Sequence, residues 1–336
     1  DTVVREGRYY WPLGPLPAVL FMPVVAVLGK APIVQGVGHG LLAVTVFCVA
    51  VLLARREGFS RSDSLWLAVA LCFGSFLVGV IDMAMPWHFA NLLTVLCVLV
   101  ALLEWRGRNR PLAIGIALAL AVASRPQAVI ACGFFFLFDI VSRGIGRKVW
   151  RRLAVMAAPI IVIAFLLGAY NAARFGSPLD TGQRDHYLQP GAVADRRDSG
   201  VFDLRRIPSN FYWYFLAPPE IRGGFPIVRP EGVSAVLLSP IFLWLFFARP
   251  RRSEFVAASI VTVASLAMYL SYFGTGFTQF GPRYLTDVLP LWFFVLLRVF
   301  RERGLAATAK ATIATSVIVN ANLFFLFAVT HIYYEF

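Results

Sequence analysis

Leu153-Ala154-Val155-Met156-Ala157-Ala158-Pro159-Ile160-Ile161-Val162-Ile163-Ala164-Phe165-Leu166-Leu167-Gly168-Ala169-Tyr170-Asn171-Ala172-Ala173 carries no charged side chain and lies between Arg151-Arg152 and Arg174. A helix needs about 20 apolar residues to cross a hydrocarbon core ~30 Å thick, so this stretch reads as a membrane span. The same length test, with charged or Pro/Gly breaks as boundaries, marks further spans on either side. They run from Ile33 to Ala54, Ser64 to Asp82, Trp87 to Leu103, Leu112 to Ser124, Gln127 to Val141, Val233 to Ala248, Glu254 to Phe273, Leu285 to Phe300 and Thr308 to Thr330. Composition agrees: 59% of residues are apolar, 15% are charged and the mean hydropathy is +0.73, whereas soluble domains carry about a quarter charged residues. The expectation is an all-α polytopic membrane protein with about ten transmembrane helices in one transmembrane domain over residues 1–336.

Two regions break this pattern. Leu13 to Leu28 is apolar but holds Pro15, Pro17 and Pro23 after Pro12. Each proline removes a backbone donor, which is costly in hydrocarbon, so residues 1–32 read as a juxtamembrane or re-entrant segment. Residues 174–232 form the one long polar loop, and Ile207 to Leu216 within it reads as an amphipathic, aromatic helix lying at the membrane interface. The chain starts at Asp1 with no hydrophobic anchor before Gly7-Arg8-Tyr9-Tyr10, the expectation for a fragment truncated at its amino terminus. Cys48, Cys72, Cys97 and Cys132 all fall within apolar runs without CxxC spacing, indicating neither disulfides nor zinc.

Charge fixes the expected orientation. Arg55, Arg56 and Arg61; Arg106, Arg108 and Arg110; Arg143, Arg147, Lys148, Arg151 and Arg152; Arg249, Arg251 and Arg252; and Arg298, Arg301, Arg303 and Lys310 occupy alternate connectors, which share a side. Those residues are more than half of the 31 basic ones, and after the neighbouring acids are subtracted they account for almost the whole net charge of +13. By the positive-inside rule that side is cytoplasmic. Nucleic-acid binding therefore has nothing left to explain, and the long loop and the remaining connectors fall outside the cell membrane.

The unusual polar residues gather on that outer side. Phe277-Thr278-Gln279-Phe280-Gly281-Pro282-Arg283-Tyr284-Leu285-Thr286-Asp287-Val288-Leu289-Pro290 feeds an outer loop into a span, with Arg283 and Asp287 spaced i, i+4. Two readings stay open: a structural ion pair, or an Arg283 facing a cavity and binding an anion bidentately. Ser124-Arg125-Pro126 places a second arginine where two short apolar runs meet. An arginine there must be paired, hydrated or snorkelling, and the turn favours one directed into the bundle. Asp82 and His88 bracket a third outer turn, where a carboxylate and an imidazole could move a proton or hold a divalent metal, or simply polarise helix ends. Gln35 and His39 share a helix face, and Gly36 with Gly40 reads as a close-packing pattern. Asn320 and Asn322 read as interhelical hydrogen-bond formers, and Asp139 with Arg143 as a solvated pair. No GxSxG, Walker A, GxGxxG or HExxH motif stands in a suitable context.

These motifs in order resemble the C-type-fold membrane glycosyltransferases. Gly7-Arg8-Tyr9-Tyr10-Trp11-Pro12-Leu13-Gly14-Pro15-Leu16-Pro17-Ala18, the Ser124-Arg125-Pro126 turn, Tyr170 to Gly182, Gly200-Val201-Phe202-Asp203, Gly232-Val233-Ser234 with Ser239-Pro240, and Gln279 to Pro290 are similar to a bacterial branch related to protein mannosyltransferases and aminoarabinose transferases. The resemblance implies a bundle of about a dozen helices in the bacterial cytoplasmic membrane. A cavity on the extracytoplasmic side would admit a polyprenyl-phosphate-linked sugar and an acceptor glycan, lipid or protein. It implies inverting transfer, with an Asp in the first outer loop as base and basic residues on the departing phosphate. Asp1 lies nearest that loop; Asp82 and His88 are the other acid-base candidates. Arg283 and Arg125 are the candidates for the phosphate, supported by Gln279, Tyr284, Asp287, Arg174 and Asp180. No cofactor is implied, and a divalent metal stays open. The rival reading is a transporter or lipid flippase, for which interrupted helices and midplane polar sites are expected; the clustering at one surface favours an interfacial enzyme.

Overall fold

The computed structural model describes residues 3–5, 7–11, 13–29, 32–185, 191–222, 224–249, 252–276 and 279–332; Asp1 lies outside them. A short antiparallel hairpin, β1 (Val3–Arg5) and β2 (Arg8–Tyr10), precedes α1 (Leu16–Leu28), α2 (Pro32–Arg56), α3 (Arg61–Cys72), α4 (Val78–Ile81), α5 (Pro86–Trp105) and α6 (Pro111–Ser124). Then come α7 (Val129–Arg143), α8 (Arg147–Phe175), α9 (Ala192–Asp198), α10 (Ile207–Phe211), a second hairpin of β3 (Glu220–Arg222) and β4 (Phe225–Ile227), α11 (Ala235–Leu238), α12 (Ser253–Ser271), α13 (Leu289–Arg303) and α14 (Ala307–Ile332).

Among the described residues six helical stretches are long and apolar enough to cross a membrane: Ile33–Arg56, Pro86–Trp105, Pro126–Arg143, Arg147–Phe175, Ser253–Ser271 and Ala307–Val329. The chain is thus a multi-pass membrane protein. The other expected spans are short or broken. The stretch from Ser64 to Asp82 stops at Cys72, turns through Phe73-Gly74-Ser75 and resumes as the single turn α4. Val233 to Ala248 breaks at Ser239-Pro240, where α11 gives way to a 3₁₀ stretch, Pro240–Phe247. Asn320 of α14 repairs both breaks: its amide donates to the carbonyls of Phe73 (2.9 Å) and Leu238 (3.0 Å), which helix geometry leaves free. Asn322 instead bonds Ile318 O in its own helix, not a neighbour. At ~1.5 Å per residue the 13 residues of α1 reach only ~20 Å, short of a full crossing.

Helix α5 is the axis of the bundle and the most buried of the six stretches. It packs against α2 and α6, and α6 in turn packs against α8, while α7 packs on α12. Gly115 of α6 lies so close to the Met156 carbonyl of α8 that any Cβ would collide with it, the small-residue approach expected of membrane helices. Gly36 and Gly40 do not serve this purpose: nothing lies near them, and Gly38 is the glycine that abuts a neighbour, the Phe21 ring of α1.

One end of the bundle is a lattice of arginines around two buried carboxylates. Glu57 is buried and accepts from Arg106 (2.5 Å), Arg298 (3.0 Å) and Arg301 (3.5 Å), tying the end of α2 to α5 and α13. Asp139 meets Arg152 (2.6 Å) and Arg143 (3.0 Å). Its pair with Arg143 is therefore no solvated contact, because Asp139 itself is buried and Arg152 also reaches Asn109.

At the other end the long loop folds back on the bundle. Asp203 N donates to Ser271 O, Phe273 N to Val201 O, and the Asn210 amide to the Leu270 and Tyr272 carbonyls at the end of α12. The expected aromatic helix begins as α10 and widens into a π-type turn over Tyr212–Leu216. Asn210 and Tyr214, one turn apart, face the protein, and Phe211, Tyr212 and Leu216 are exposed.

Candidate functional site

The site end is organised by the Ser124-Arg125-Pro126 turn. Helix α6 ends there because Arg125 is extended (φ −139°, ψ 102°), and Pro126 opens a 3₁₀ turn into α7. Gly14 of the proline-rich segment rests on the carbonyls of Ala123 and Ser124, with no room for a Cβ. Arg125 is turned inward and buried. It donates from Nε (2.9 Å) and Nη2 (3.3 Å) to the two oxygens of Asp287, and from Nη1 to Asn91 Oδ1 of α5. Asp287 is also buried and receives the Tyr269 hydroxyl of α12, and Tyr284 lies under the guanidinium, 5.6 Å from it. Every charge in this network has a partner, the condition for a buried ion pair to be tolerated.

Arg283 is differently placed. Of the two readings left open by the spacing, the ion pair with Asp287 is not formed, because Asp287 is engaged by Arg125 and because Arg283–Asp287 is a 3₁₀ turn. With three residues per turn, i and i+4 no longer share a face; the i+3 contact is made instead, Thr286 Oγ1 donating to Arg283 O. The Arg283 guanidinium lies 5.4 Å from the ring of Trp87 and 5.5 Å from that of Tyr284. Its Nε and Nη1 are buried and have no hydrogen-bond partner among the described residues.

Other donors around it are also unspent. Trp87 Nε1, His88 Nδ1 and Tyr214 Oη are buried without a partner among the described residues. Burial pushes the Tyr214 hydroxyl well above its ordinary range, with Tyr284 raising it and Arg283 lowering it, so it stays a neutral donor. Gln279 fixes the segment: its amide donates to Glu231 O and Thr275 O, both at 2.8 Å, while its Oε1 accepts from Arg283 N at 3.0 Å. Gly276, at φ 102°, lets the chain pass there; a Cβ would strike Gln279 Oε1 and come within 3.2 Å of Arg283 Nε.

Arg174 and Asp180 form a tie beside this cluster. Arg174 donates to Trp11 O and Asn171 Oδ1, both at 2.9 Å, and lies 3.8 Å from the Tyr170 ring centre. Asp180 accepts from Arg5 at 2.9 Å. These bonds hold the amino-terminal hairpin and the residue after it on the end of α8 and the loop that follows, and Trp11 then stacks on Trp87 (6.1 Å between ring centres, 14° between planes). Asp82 follows α4 and reaches the surface, yet the protein around it pushes its carboxyl up to about 6. Gln35 and His39 of α2 hold this turn through Ala84 O and Val80 O. Trp87, Tyr214, Asn91 and Tyr269 were not singled out from the sequence; for Tyr214 the one available signal was its place in an aromatic run.

No family model and no curated protein matches this sequence. Two solved structures do match in shape, both of ArnT from Cupriavidus metallidurans. The apo state has 13% identity and a TM-score of 0.53, covering 93% of this chain and 53% of that one. The state bound to undecaprenyl phosphate has 13% identity and a TM-score of 0.56, covering 95% and 55%. In fold, this chain resembles ArnT. The C-type glycosyltransferase fold expected from the sequence is thereby found, and the chain spans about half the length of ArnT. At this identity the likeness extends to the fold alone.

Proposed function

We propose that this chain is the membrane domain of a glycosyltransferase that takes a sugar from a polyprenyl-phosphate donor and passes it to an acceptor hydroxyl on the extracytoplasmic side. The observation that carries the reading is the Arg283 guanidinium, with two buried nitrogens unpartnered among the described residues and the unspent Trp87 and Tyr214 donors beside it. A half-buried cation with two buried nitrogens that lack a partner among the described residues suits an anion, and a guanidinium matches phosphate oxygens in pairs. That the ArnT neighbour was solved with undecaprenyl phosphate supports a lipid phosphate as that anion.

In this reading the acceptor oxygen attacks the anomeric carbon, and the bond from that carbon to the phosphate oxygen breaks. The bonding pair leaves with the phosphate, whose growing charge Arg283 stabilises from a preorganised position. A single displacement inverts the anomeric centre. Asp82 takes the acceptor proton; its carboxyl reaches the surface and has no ion-pair partner among the described residues. Arg125, its donors directed to Asp287 and Asn91, holds the Arg283–Asp287 turn in place and does not itself meet the phosphate. The clustering of free donors at one end favours this reading over a flippase, which would need them along a path through the bundle.

Arg283→Ala in the complete protein tests the proposal. Transfer from a lipid-phosphate sugar should fall by at least a hundredfold, the range for loss of one oxyanion donor, while Arg283→Lys should recover part of it and both variants should express. Normal turnover by Arg283→Ala would remove Arg283 from the mechanism.

A further inference from the structure

The opposite end of the bundle holds two neighbouring arginines, Arg55 and Arg56, with no carboxylate partner among the described residues. The last turns of α2 and α5 border an open surface groove of about 430 Å³ lined by Leu52, Arg55, Arg56 and Leu103. The carboxylates nearby are engaged elsewhere. Glu57 accepts from Arg106, Arg298 and Arg301, and Glu104 is held by Arg110 at 2.9 and 3.0 Å. Arg55 donates to the neutral carbonyl of Phe59 (2.7 Å), and neither it nor Arg56 has a carboxylate partner among the described residues. Two full positive charges therefore border a cleft whose other walls are leucines.

The approach to the cleft is apolar. Val37, Leu41, Val44, Cys48 and Leu52 are exposed along one face of α2 at three- and four-residue spacing, ending directly below Arg55 and Arg56. The 25 residues of α2 extend ~37 Å, longer than a ~30 Å hydrocarbon core, which brings its last turn to headgroup depth. Val100 continues the apolar wall on α5, one turn before Leu103.

We propose that this cleft is a binding site for one anionic glycerophospholipid, its phosphate between Arg55 and Arg56 and an acyl chain along the Leu52 to Val37 stripe. The ligand class follows from the combination of paired guanidinium groups with a continuous apolar track. A soluble anion would use the first and leave the second empty. Basic pockets between membrane helices are suited to such headgroups. The proposal does not depend on the reading of the site at the other end.

Native mass spectrometry of the detergent-purified chain, titrated with phosphatidylglycerol, phosphatidylcholine or inorganic phosphate, tests it. One phosphatidylglycerol should be retained, and the double variant Arg55→Gln/Arg56→Gln should weaken retention by about tenfold or more. Arg108→Gln, an exposed arginine outside the cleft, should retain the lipid as the parent does. Leu52→Trp keeps both charges but fills the cleft and should also lose the lipid. Thermal melts confirm that each variant is folded. Equal retention by the double variant, equal loss in Arg108→Gln, equal binding of phosphatidylcholine, or displacement of the lipid by millimolar-scale inorganic phosphate would each overturn the assignment.

Discussion

Breaking the Arg125–Asp287 pair should cost more than any other single ionic substitution at the site end. Both side chains are buried, 3% and 1% exposed, and the guanidinium meets both carboxylate oxygens. Two unit charges about 4 Å apart attract by about 4 kcal/mol at an effective dielectric constant near 20. Removal of one member of such a pair costs about 3–5 kcal/mol, because the survivor is left charged and unpaired. At about 1.4 kcal/mol per tenfold, Asp287→Leu or Arg125→Met should shift the unfolding equilibrium by more than a hundredfold. The double variant should lose less than the sum of the two, since no charge is then stranded, although Asn91 and Tyr269 each lose a partner and full recovery is not expected. The assay is a double-mutant cycle of denaturant unfolding in mixed micelles. A coupling energy under about 1 kcal/mol, the value of an exposed pair, would refute the inference that this pair is sealed from water.

Gly276→Ala should destabilise the loop by about 1–3 kcal/mol, because φ 102° is strained for any residue with a Cβ, and should weaken the proposed lipid-phosphate binding through Gln279 and Arg283. Gly274→Ala, whose nearest neighbour would be the Tyr272 ring at 3.6 Å, should be mild; equal melting temperatures for the two would sink the argument. The Asp82 carboxyl, raised by burial to about 6 from an unfolded value near 3.9, binds more protons folded than unfolded in between. Its contribution to stability is therefore greatest below about pH 4 and is lost as pH rises to about 6. Melting curves across that window should flatten in Asp82→Asn, and parallel slopes in parent and variant would contradict the assignment.

Membrane class and the separation of an arginine-rich end from a polar site end were legible in the sequence, since both depend on composition over long stretches. Helix continuity was less so. Ser64 to Asp82 is near spanning length and Val233 to Ala248 somewhat short of it, and in them Gly74 and Pro240 allow breaks whose carbonyls a distant donor, Asn320 of α14, satisfies. Glu57 reads as one acid among basic neighbours; that it would be buried beneath Arg106, Arg298 and Arg301 depends on α5 and α13 arriving beside α2. The close contact of α6 with α8 runs through Gly115, which no GxxxG spacing advertises, whereas the spaced pair Gly36 and Gly40 touches nothing.

Arg125 and Arg283 differ because of a local geometry that spacing alone misreads. In an α-helix Arg283 and Asp287 would meet at i, i+4 and neutralise each other. The 3₁₀ turn separates them and presents Asp287 inward to Arg125, a residue far earlier in the chain. One buried carboxylate then serves one buried guanidinium, and the second guanidinium, beside Trp87, is left with two buried nitrogens that have no partner among the described residues. The Arg125–Asp287 bond thus acts as a brace that leaves Arg283 without an ion-pair partner among the described residues. Arg125 and Arg283 are equal as charges; among the described residues the second alone of the two keeps buried nitrogens without a partner, as the proposed anion site requires.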